Sequence, residues 1–536
     1  MVSLEVNMFK KVAILCFMVM MLVSCARQAS DQISQQSVGG GTPGSFPTSS
    51  EYSVLWQNYG SDEGNTNVVY GRLPAQSASL NEAASEAGLS VFSSPIIFQD
   101  SSTNDQSVIA LWAKSDQLKV VRYTIGSSTL TQDSGFTPIE LVPNSATYAH
   151  QAHQIALSIQ NDQPFIFVAH NGGVSKFNAL TGAHDKTVNT FGSVYRLLVS
   201  GTSLYIQSGS HVAKLHVDDM ENAGSFKFPD KSELTRQLPL VISENNLYVV
   251  HDKKVYQFDT DNLNALDIEQ VTGHVAGLMA YDKTLLYSDV RSVDLEDTIT
   301  SGYPSRTITQ TDFKWFSQDD DDMKYTKYLT ERNFVLSNNN IVNNIGDHSF
   351  TAFADTLHNL YLPGHSLAYS DLVMGGNVAE GVVKVDKFSP EESSVPFYNK
   401  SAQEVFSVEI SGTLVSNNYV PRFVIYDSVS EELMSVLNVN ELLFKDTDTF
   451  NNSLDQKSSH QKISTEPSGN AFGMFVDSQD KGRLDNYNSR IILGIDNNFT
   501  EKIINNDTVA IQAVSVGNQA VVFAGSDSKL YLLSSN

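Results

Sequence analysis

Cysteine is nearly absent. The 536-residue chain contains only 2, which excludes a disulfide-built scaffold and any four-cysteine metal site. Tryptophan is equally scarce, at 3. Positive charge is in short supply: 35 Lys and Arg stand against 60 Asp and Glu, for a net charge of −25. Such a chain lacks the basic surface that nucleic-acid phosphates require, so no nucleic-acid partner is expected. It also lacks a general attraction to anionic lipid. Beyond residue 25 no stretch approaches the ~18 consecutive apolar residues of a membrane-spanning helix. What is present is apolar material: 41% hydrophobic residues and 10% aromatic, against 18% charged. That is enough for a sizeable core and excludes global disorder. The length admits either a few ordinary domains or one large repeat-built domain.

The N-terminus reads as an export address. Lys10 and Lys11 form a short basic region, and the apolar run from Val12 to Val23 follows. The run is too short to span a bilayer, which takes about 20 residues, and has the length of a signal-peptide core. It ends in Leu22-Val23-Ser24-Cys25, which resembles the lipobox of bacterial lipoproteins. The resemblance implies cleavage before Cys25, acylation of its thiol and membrane attachment through that lipid. Cys16 would leave with the signal, and Cys25 would be taken by the lipid, leaving no pair for a disulfide. Ala26 stands where the resemblance would place an inner-membrane retention Asp, so it implies the outer membrane of a two-membrane host. Met8 is an alternative start. Residues 26–50 are rich in Gln, Ser, Gly and Pro. They read as a flexible tether with a typical reach of about 25–30 Å. The expected organisation is a signal peptide at 1–24, a lipidated Cys25 with its tether at 25–50, and one folded body at 51–536.

The body alternates short apolar runs with turns of Gly, Asn, Asp and Ser, the pattern of strands. Leu80–Leu89 is the one segment that suggests a short helix. A hairpin recurs at 108–126, 165–182, 204–218, 247–260, 285–295, 371–388 and 521–534, with weaker copies near 423–427 and 472–496. Several copies are spaced by about 40 residues, the period of a four-stranded propeller blade. One such sheet cannot bury both faces alone; radial stacking does so and a closed ring protects the ends. The expectation is an all-β chain, a β-propeller of seven or eight four-stranded blades, with eight the better fit. A set of β-sandwiches is the competing architecture. The segment around 296–344 reads as an inserted loop.

Two corners carry a family resemblance. Val174–Lys186 (VSKFNALTGAHDK) resembles the corner of pyrroloquinoline-quinone-type repeats, and Val255–Asn264 (VYQFDTDNLN) resembles the same corner and that of YVTN-type propellers. The tryptophan that follows the Thr-Gly in that family is missing here. Lipobox, tether and propeller together resemble the architecture of the propeller lipoprotein of the outer-membrane Bam complex. Quinone-dependent dehydrogenases on this fold use a stacking Trp, a Ca²⁺ site and often a vicinal disulfide, which this chain cannot supply in full.

Candidate chemistry is sparse. His150 and His153 form an H-x-x-H that could hold a metal from an inner strand, with His170 nearby; the alternative is hydrogen-bonded loop histidines. Asp319, Asp320, Asp321 and Asp322 could gather Ca²⁺ but do not match a calcium loop, and a solvated loop tip is the competing reading. Asp446-x-Asp448 and Asp477–Asp485 are further acidic turns. Ser61–Thr66 has a distorted likeness to a sialidase Asp-box and reads as a turn. No nucleophile elbow, phosphate loop or dinucleotide glycine run is present. No cofactor is expected. Trp315 and Phe316 are candidate partner contacts. The leading functional expectation is a lipid-anchored envelope module that serves as a binding or scaffold platform for another macromolecule, with an envelope protein the expected partner. The alternative is a periplasmic or surface enzyme acting on glycans or a small oxidisable substrate.

Overall fold

Five of the recurring hairpins, at 108–126, 165–182, 204–218, 247–260 and 521–534, form, and each is the middle of a sheet; of 371–388 the described part is the single strand Ala379–Val385. The computed structural model describes residues 49–281 (except 70, 147, 233, 235–237 and 272–273) and 511–535, and between them mainly the backbone of the strands named below. All lie within one compact unit, 41–536. The described strands make eight sheets. The second is Ile155–Gln160, Gln163–His170, Gly173–Asn178 and His184–Val188 in spatial order. The third is Val194–Ser200, Ser203–Ser208, His211–His216 and Asn222–Lys227. The fourth is Val241–Ser243, Asn246–His251, Lys254–Asp259 and Ala265–Gln270, and the fifth is His274–Tyr281, Thr284–Asp294, Arg306–Ser317 and Lys324–Leu336. Each is an antiparallel meander whose strands pair in chain order, which is blade topology. The sixth (Phe353–Ala354, Leu360–Ser366, Ala379–Val385) and the seventh (Asn418–Asp427, Glu432–Asn440, Tyr487–Ile495, Asn498–Ile504) continue it.

The ring is closed by the chain's two ends. The first sheet contains Ile96–Asp100, Gln106–Lys114, Gln117–Ile125 and Leu130–Gln132, with Tyr52–Trp56 added against Ile96–Asp100. The eighth runs Ile511–Val516, Ala520–Gly525 and Lys529–Ser534, and its outermost strand is Ser79–Ser85 from the other end of the chain. This corrects the helix suggested at Leu80–Leu89. The partly buried Leu80, Ala83 and Ala84 pack on the core from a strand, because a partner edge 450 residues away in sequence overrides local propensity. A second correction concerns 285–295. Residues 285–294 form no hairpin but belong to the 11-residue strand Thr284–Asp294, paired to Arg306–Ser317 from Asp294↔Thr307 to Thr284↔Ser317, and Leu295 lies outside the described residues. Within 296–344, Arg306–Ser317 and Lys324–Leu336 are strands of the fifth sheet, and the other residues lie outside the described set.

Packing is radial. In Gln106–Lys114, Val108, Ala110 and Trp112 join a cluster with the eighth sheet's Val514, Val522 and Leu532. The alternate residues Ile109, Leu111 and Ala113 join one with the second sheet's Ile166 and Val168. In turn Phe167 and Ala169 pack with Leu197, Leu204 and Ile206 of the third sheet. The period-2 alternation of a strand thus puts successive side chains into two different interfaces. A middle strand is therefore largely apolar, which explains why the middle hairpins were the legible signal. Outer strands such as His184–Val188 are largely exposed and carry little pattern.

The corner between third and fourth strands repeats in three sheets. Gly182, Met220 and Leu263 each donate a backbone N–H to the residue four earlier, Asn178, His216 and Asp259, and each has positive φ (75°, 55° and 55°). Asn178 Oδ1 accepts from the N–H groups of Leu180 and Thr181, and Asp259 Oδ1 from those of Asp261 and Asn262. A Cβ at Gly182 would sit 2.2 Å from the carbonyl oxygen of Thr137. Gly182→Ala is therefore expected to cost well over ~1 kcal/mol, from strain and collision together. Urea unfolding midpoints check this; an unchanged midpoint would contradict it.

Candidate functional site

In such a meander the first-to-second and third-to-fourth turns share one face, here called lower. The second-to-third turns and the sheet-to-sheet connections share the other, the upper face. Two features stand out: a segment of the chain that runs along the inner strands, and a loop on the upper face.

The first follows directly from Trp56, which is fully buried. Gln57, Asn58, Ser61, Asp62, Asn65, Thr66 and Asn67 are all buried as well, an unusual density of polar groups for an interior. Several backbone and side-chain groups of this segment bond to the free edges of the innermost strands, one sheet after another. The N–H of Leu157 in the second sheet donates to Gln57 O at 3.1 Å, and Gln57 Nε2 donates to Leu157 O at 3.0 Å. Asn58 does the same in the third sheet with its side chain alone. Val199 N–H donates to Asn58 Oδ1 at 3.0 Å, and Asn58 Nδ2 donates to Val199 O at 3.1 Å. In the fourth sheet Ile242 N–H donates to Glu63 O, and in the fifth Ala280 N–H donates to Gly64 O, both at 2.8 Å. Val199, Ile242 and Ala280 occupy the same register, one residue before the tight lower turn. The chain then adds Val68–Val69 parallel to Asn418–Asp427 of the seventh sheet, and Gln519 N–H of the eighth donates to Arg72 O. One segment thus satisfies inner-edge groups of successive sheets that would otherwise be orphaned.

Within that segment Asp62 holds a tight turn. Its Oδ1 accepts from Gly64 N–H at 3.1 Å and Thr66 N–H at 2.9 Å, and its Oδ2 from the Thr66 hydroxyl. Burial pushes its carboxyl up to about 6, against the pull of those hydrogen bonds. Glu63 is also raised by burial, and the Ser200 hydroxyl donates to it. This is the Ser61–Thr66 stretch read from sequence as a turn. It is a turn, but an interior one. The signal available was the run of uncharged amides and small residues beside a tryptophan.

The upper loop is 142–154. His153 is buried; its Nδ1 lies 2.7 Å from Val194 O, so it donates there, and its Nε2 accepts from Asn144 N–H at 3.2 Å. It stacks on Tyr195 with centroids 4.8 Å apart. Burial drives its pKa down to about 3, so the ring is neutral. His150 sits in the 3-10 turn Ala149–Ala152, edge-on to Phe92 at 5.7 Å. His170 bonds Ser175 Oγ through Nε2 and Gly172 N–H through Nδ1. Among the described residues, no group of three His, Cys, Asp or Glu is arranged to hold a metal ion. Trp315 and Phe316 lie in Arg306–Ser317, opposite Leu286 and Leu285. Cys25, Asp319, Asp320, Asp321, Asp322 and the acidic turns at 446–448 and 477–485 lie outside the described residues.

Sequence reasoning missed Tyr148. It is 62% exposed, at φ +60°, just ahead of the 3-10 turn, and Val142 is 61% exposed in the same loop. A bulky side chain in the left-handed region is uncommon and is held there only by its surroundings. No sequence pattern marks such a residue, because the loop's conformation comes from its tertiary ties. Among the described residues no helix is long and apolar enough to cross a membrane.

No family model matches the chain, and no curated protein matches it. Among solved structures it is similar to the computationally designed Ika8 protein, at 11% identity over 88% of this chain and 99% of that one, TM-score 0.37. It is similar to BamB from Moraxella catarrhalis, at 8% identity over 86% and 98%, TM-score 0.34. The C-terminal WD40 domain of Sif2 is similar at 10% identity over 87% and 100%, TM-score 0.33. The propeller architecture itself stands on this chain's own strand order, its radial clusters and its ring closure.

Proposed function

We propose that this chain is a lipid-anchored envelope propeller that binds another protein, attached through Cys25 and held off the outer membrane by residues 26–50. The observation that carries the binding role is the segment running from Trp56 to Arg72. It bonds the inner edges of successive sheets with the protein's own groups, which makes a rigid frame and leaves recognition to loops on the two faces. The anchoring role rests on Leu22-Val23-Ser24-Cys25 and on the composition of the tether.

The test is crosslinking in intact cells, with Cys25→Ser as the unlipidated control. Fractionation is expected to place the native chain in the membrane and the variant in the soluble fraction. A single dominant envelope protein should be captured by the anchored form, and lost or weakened in the variant. A lone anchored monomer would overturn the binding role, and a membrane-bound variant would overturn the lipid anchor.

A further inference from the structure

The described turns of the lower face carry acids alone, those of the upper face acids and bases together (Asp116, Asp230, Lys231, Asp252 and Lys253), and residues 50–51 meet the ring on the acidic face. Ser50 donates to Asp162 Oδ1 at 3.3 Å, and Ser101 N–H donates to Glu51 O at 2.8 Å. Both contacts are at first-to-second turns, so residues 50–51 meet the ring on the lower face. That face exposes Asp105, Asp162, Asp218, Asp219, Glu221 and Asp261. The upper loops of the second and third sheets are different. Segments 142–154, 171–172, 189–193 and 209–210 contain no Asp, Glu, Lys or Arg. In a chain of net charge −25, that is an uncharged stretch, bordered at 209–210 by the connection that carries the exposed Asp230 and Lys231. Its composition is Asn, Ser, Gly, Gln and Ala, with Tyr148 and Val142 most exposed. Tyr beside Ser, Gly and Asn is the composition of protein-binding loops, where a rigid ring supplies contact area and small polar residues supply adaptable hydrogen bonds.

The loops are also held in place. Asn171 N–H donates to Val142 O at 2.9 Å, and Ser193 Oγ donates to Asn171 Oδ1 at 3.3 Å. Asn144 donates through Nδ2 to the Tyr195 hydroxyl, and its Oδ1 accepts from Ala146 N–H at 3.0 Å. Gln151 N–H donates to Tyr148 O at 2.9 Å, while Ala149 and Ala152 are buried against Tyr195 and Leu234. The framework fixes Tyr148 in the left-handed region with its side chain in solvent. A ring presented that way loses little freedom on binding.

We infer that the upper rim around Tyr148 and Val142 is the docking surface, and that its occupant is an uncharged patch of a protein with a pocket for an aromatic ring. This rests on the proposed binding role and names its face. Charge complementarity chooses the occupant: a basic partner would be drawn to the lower face, and an acidic one repelled by the body. Val142 favours protein over a neutral glycan, since a bare aliphatic group offers nothing to sugar hydroxyls.

The test places photoreactive p-benzoylphenylalanine at 148, at 142 or at 162 in the full-length anchored protein in intact cells. Positions 148 and 142 are expected to give the same protein adduct, and 162 none. Once that protein is purified, Tyr148→Ala should raise its Kd at least about tenfold and Tyr148→Phe much less. The Kd should stay within about twofold between low and high salt, because no charge pair forms. Adducts only from 162, adducts to a polysaccharide, a Kd indifferent to Tyr148→Ala, or a steep salt dependence would each overturn the inference. If whole-protein crosslinking captures a partner and position 148 does not, this surface is wrong and the binding role stands.

Discussion

Starting the chain at residue 88 is expected to abolish cooperative unfolding, whereas starting it at residue 49 should leave the midpoint unchanged. The difference is the strand Ser79–Ser85, which pairs with Lys529–Ser534 from Ser79↔Ser534 to Ser85↔Lys529. Without it the eighth sheet ends on Lys529–Ser534, whose residues 530–534 are buried in the intact ring. That newly exposed edge would carry Leu530, Tyr531, Leu532 and Leu533, an apolar strand with unpaired N–H and C=O groups, which is a template for aggregation. The first sheet would also lose its neighbour's outer wall. A chain starting at residue 72 keeps the closing strand but lacks the inner segment, and should unfold cooperatively at a clearly lower midpoint. Thermal unfolding with light scattering separates the three. A cooperative, soluble chain from residue 88 would show that the ring does not depend on this closure.

The second large effect is expected inside the ring. Asn58→Ala would strand both the N–H and the C=O of Val199, each worth about 1–3 kcal/mol when buried without a partner. Asn58→Asp should be worse still, because it sets a buried carboxylate against a carbonyl oxygen. Asp62→Ala would leave the Gly64 N–H, the Thr66 N–H and the Thr66 hydroxyl without their acceptor, a similar or larger loss. Asp62→Asn behaves differently. Its oxygen can keep both backbone bonds, and its amide can donate to the Thr66 hydroxyl. What it removes is the titration. Asp62 has a pKa near 6 when folded and near 3.8 when unfolded, so between these values the folded state holds the extra proton. The stability that Asp62 contributes is present at low pH and is lost as the pH rises through about 6. The native-minus-variant difference should therefore fall by on the order of 2 kcal/mol between pH 4 and pH 7. The neutral His153 works in the opposite direction in the same range, losing stability as pH falls below 6.5, but it is common to both proteins and cancels. Urea unfolding at several pH values reads the difference. A flat difference would mean that Asp62 is not held in its protonated form by burial.

Much of the architecture was legible because blade physics is repetitive. A strand buried on both faces is largely apolar, so Gln163–His170, Ser203–Ser208 and Asn246–His251 were visible as halves of hairpins about 40 residues apart. The corners at 178–182 and 259–263 were visible too, since Asn or Asp followed by a left-handed residue is local chemistry. The outer strands were not, because their exposed side chains carry no pattern. Leu80–Leu89 looked helical for the same reason: the strand found there, Ser79–Ser85, owes its identity to a partner edge at the far end of the chain.

The candidate site divides along the same line. The amino-acid sequence by itself determined the all-β class, the repeat, the acidic balance and the uncharged composition of the loops around 142–154. Each of these is a property of neighbouring residues. Only the tertiary structure decided that Gln57, Asn58 and Asp62 lie inside the ring, that His153 is tied at both ring nitrogens, and that Tyr148 is held outward on the face opposite residues 50–51. Those outcomes depend on which backbone groups of distant strands are left without a partner. Closing the ring exposes inner-edge groups at Leu157, Val199, Ile242 and Ala280, and the cost of leaving them unpaired draws the polar segment inward.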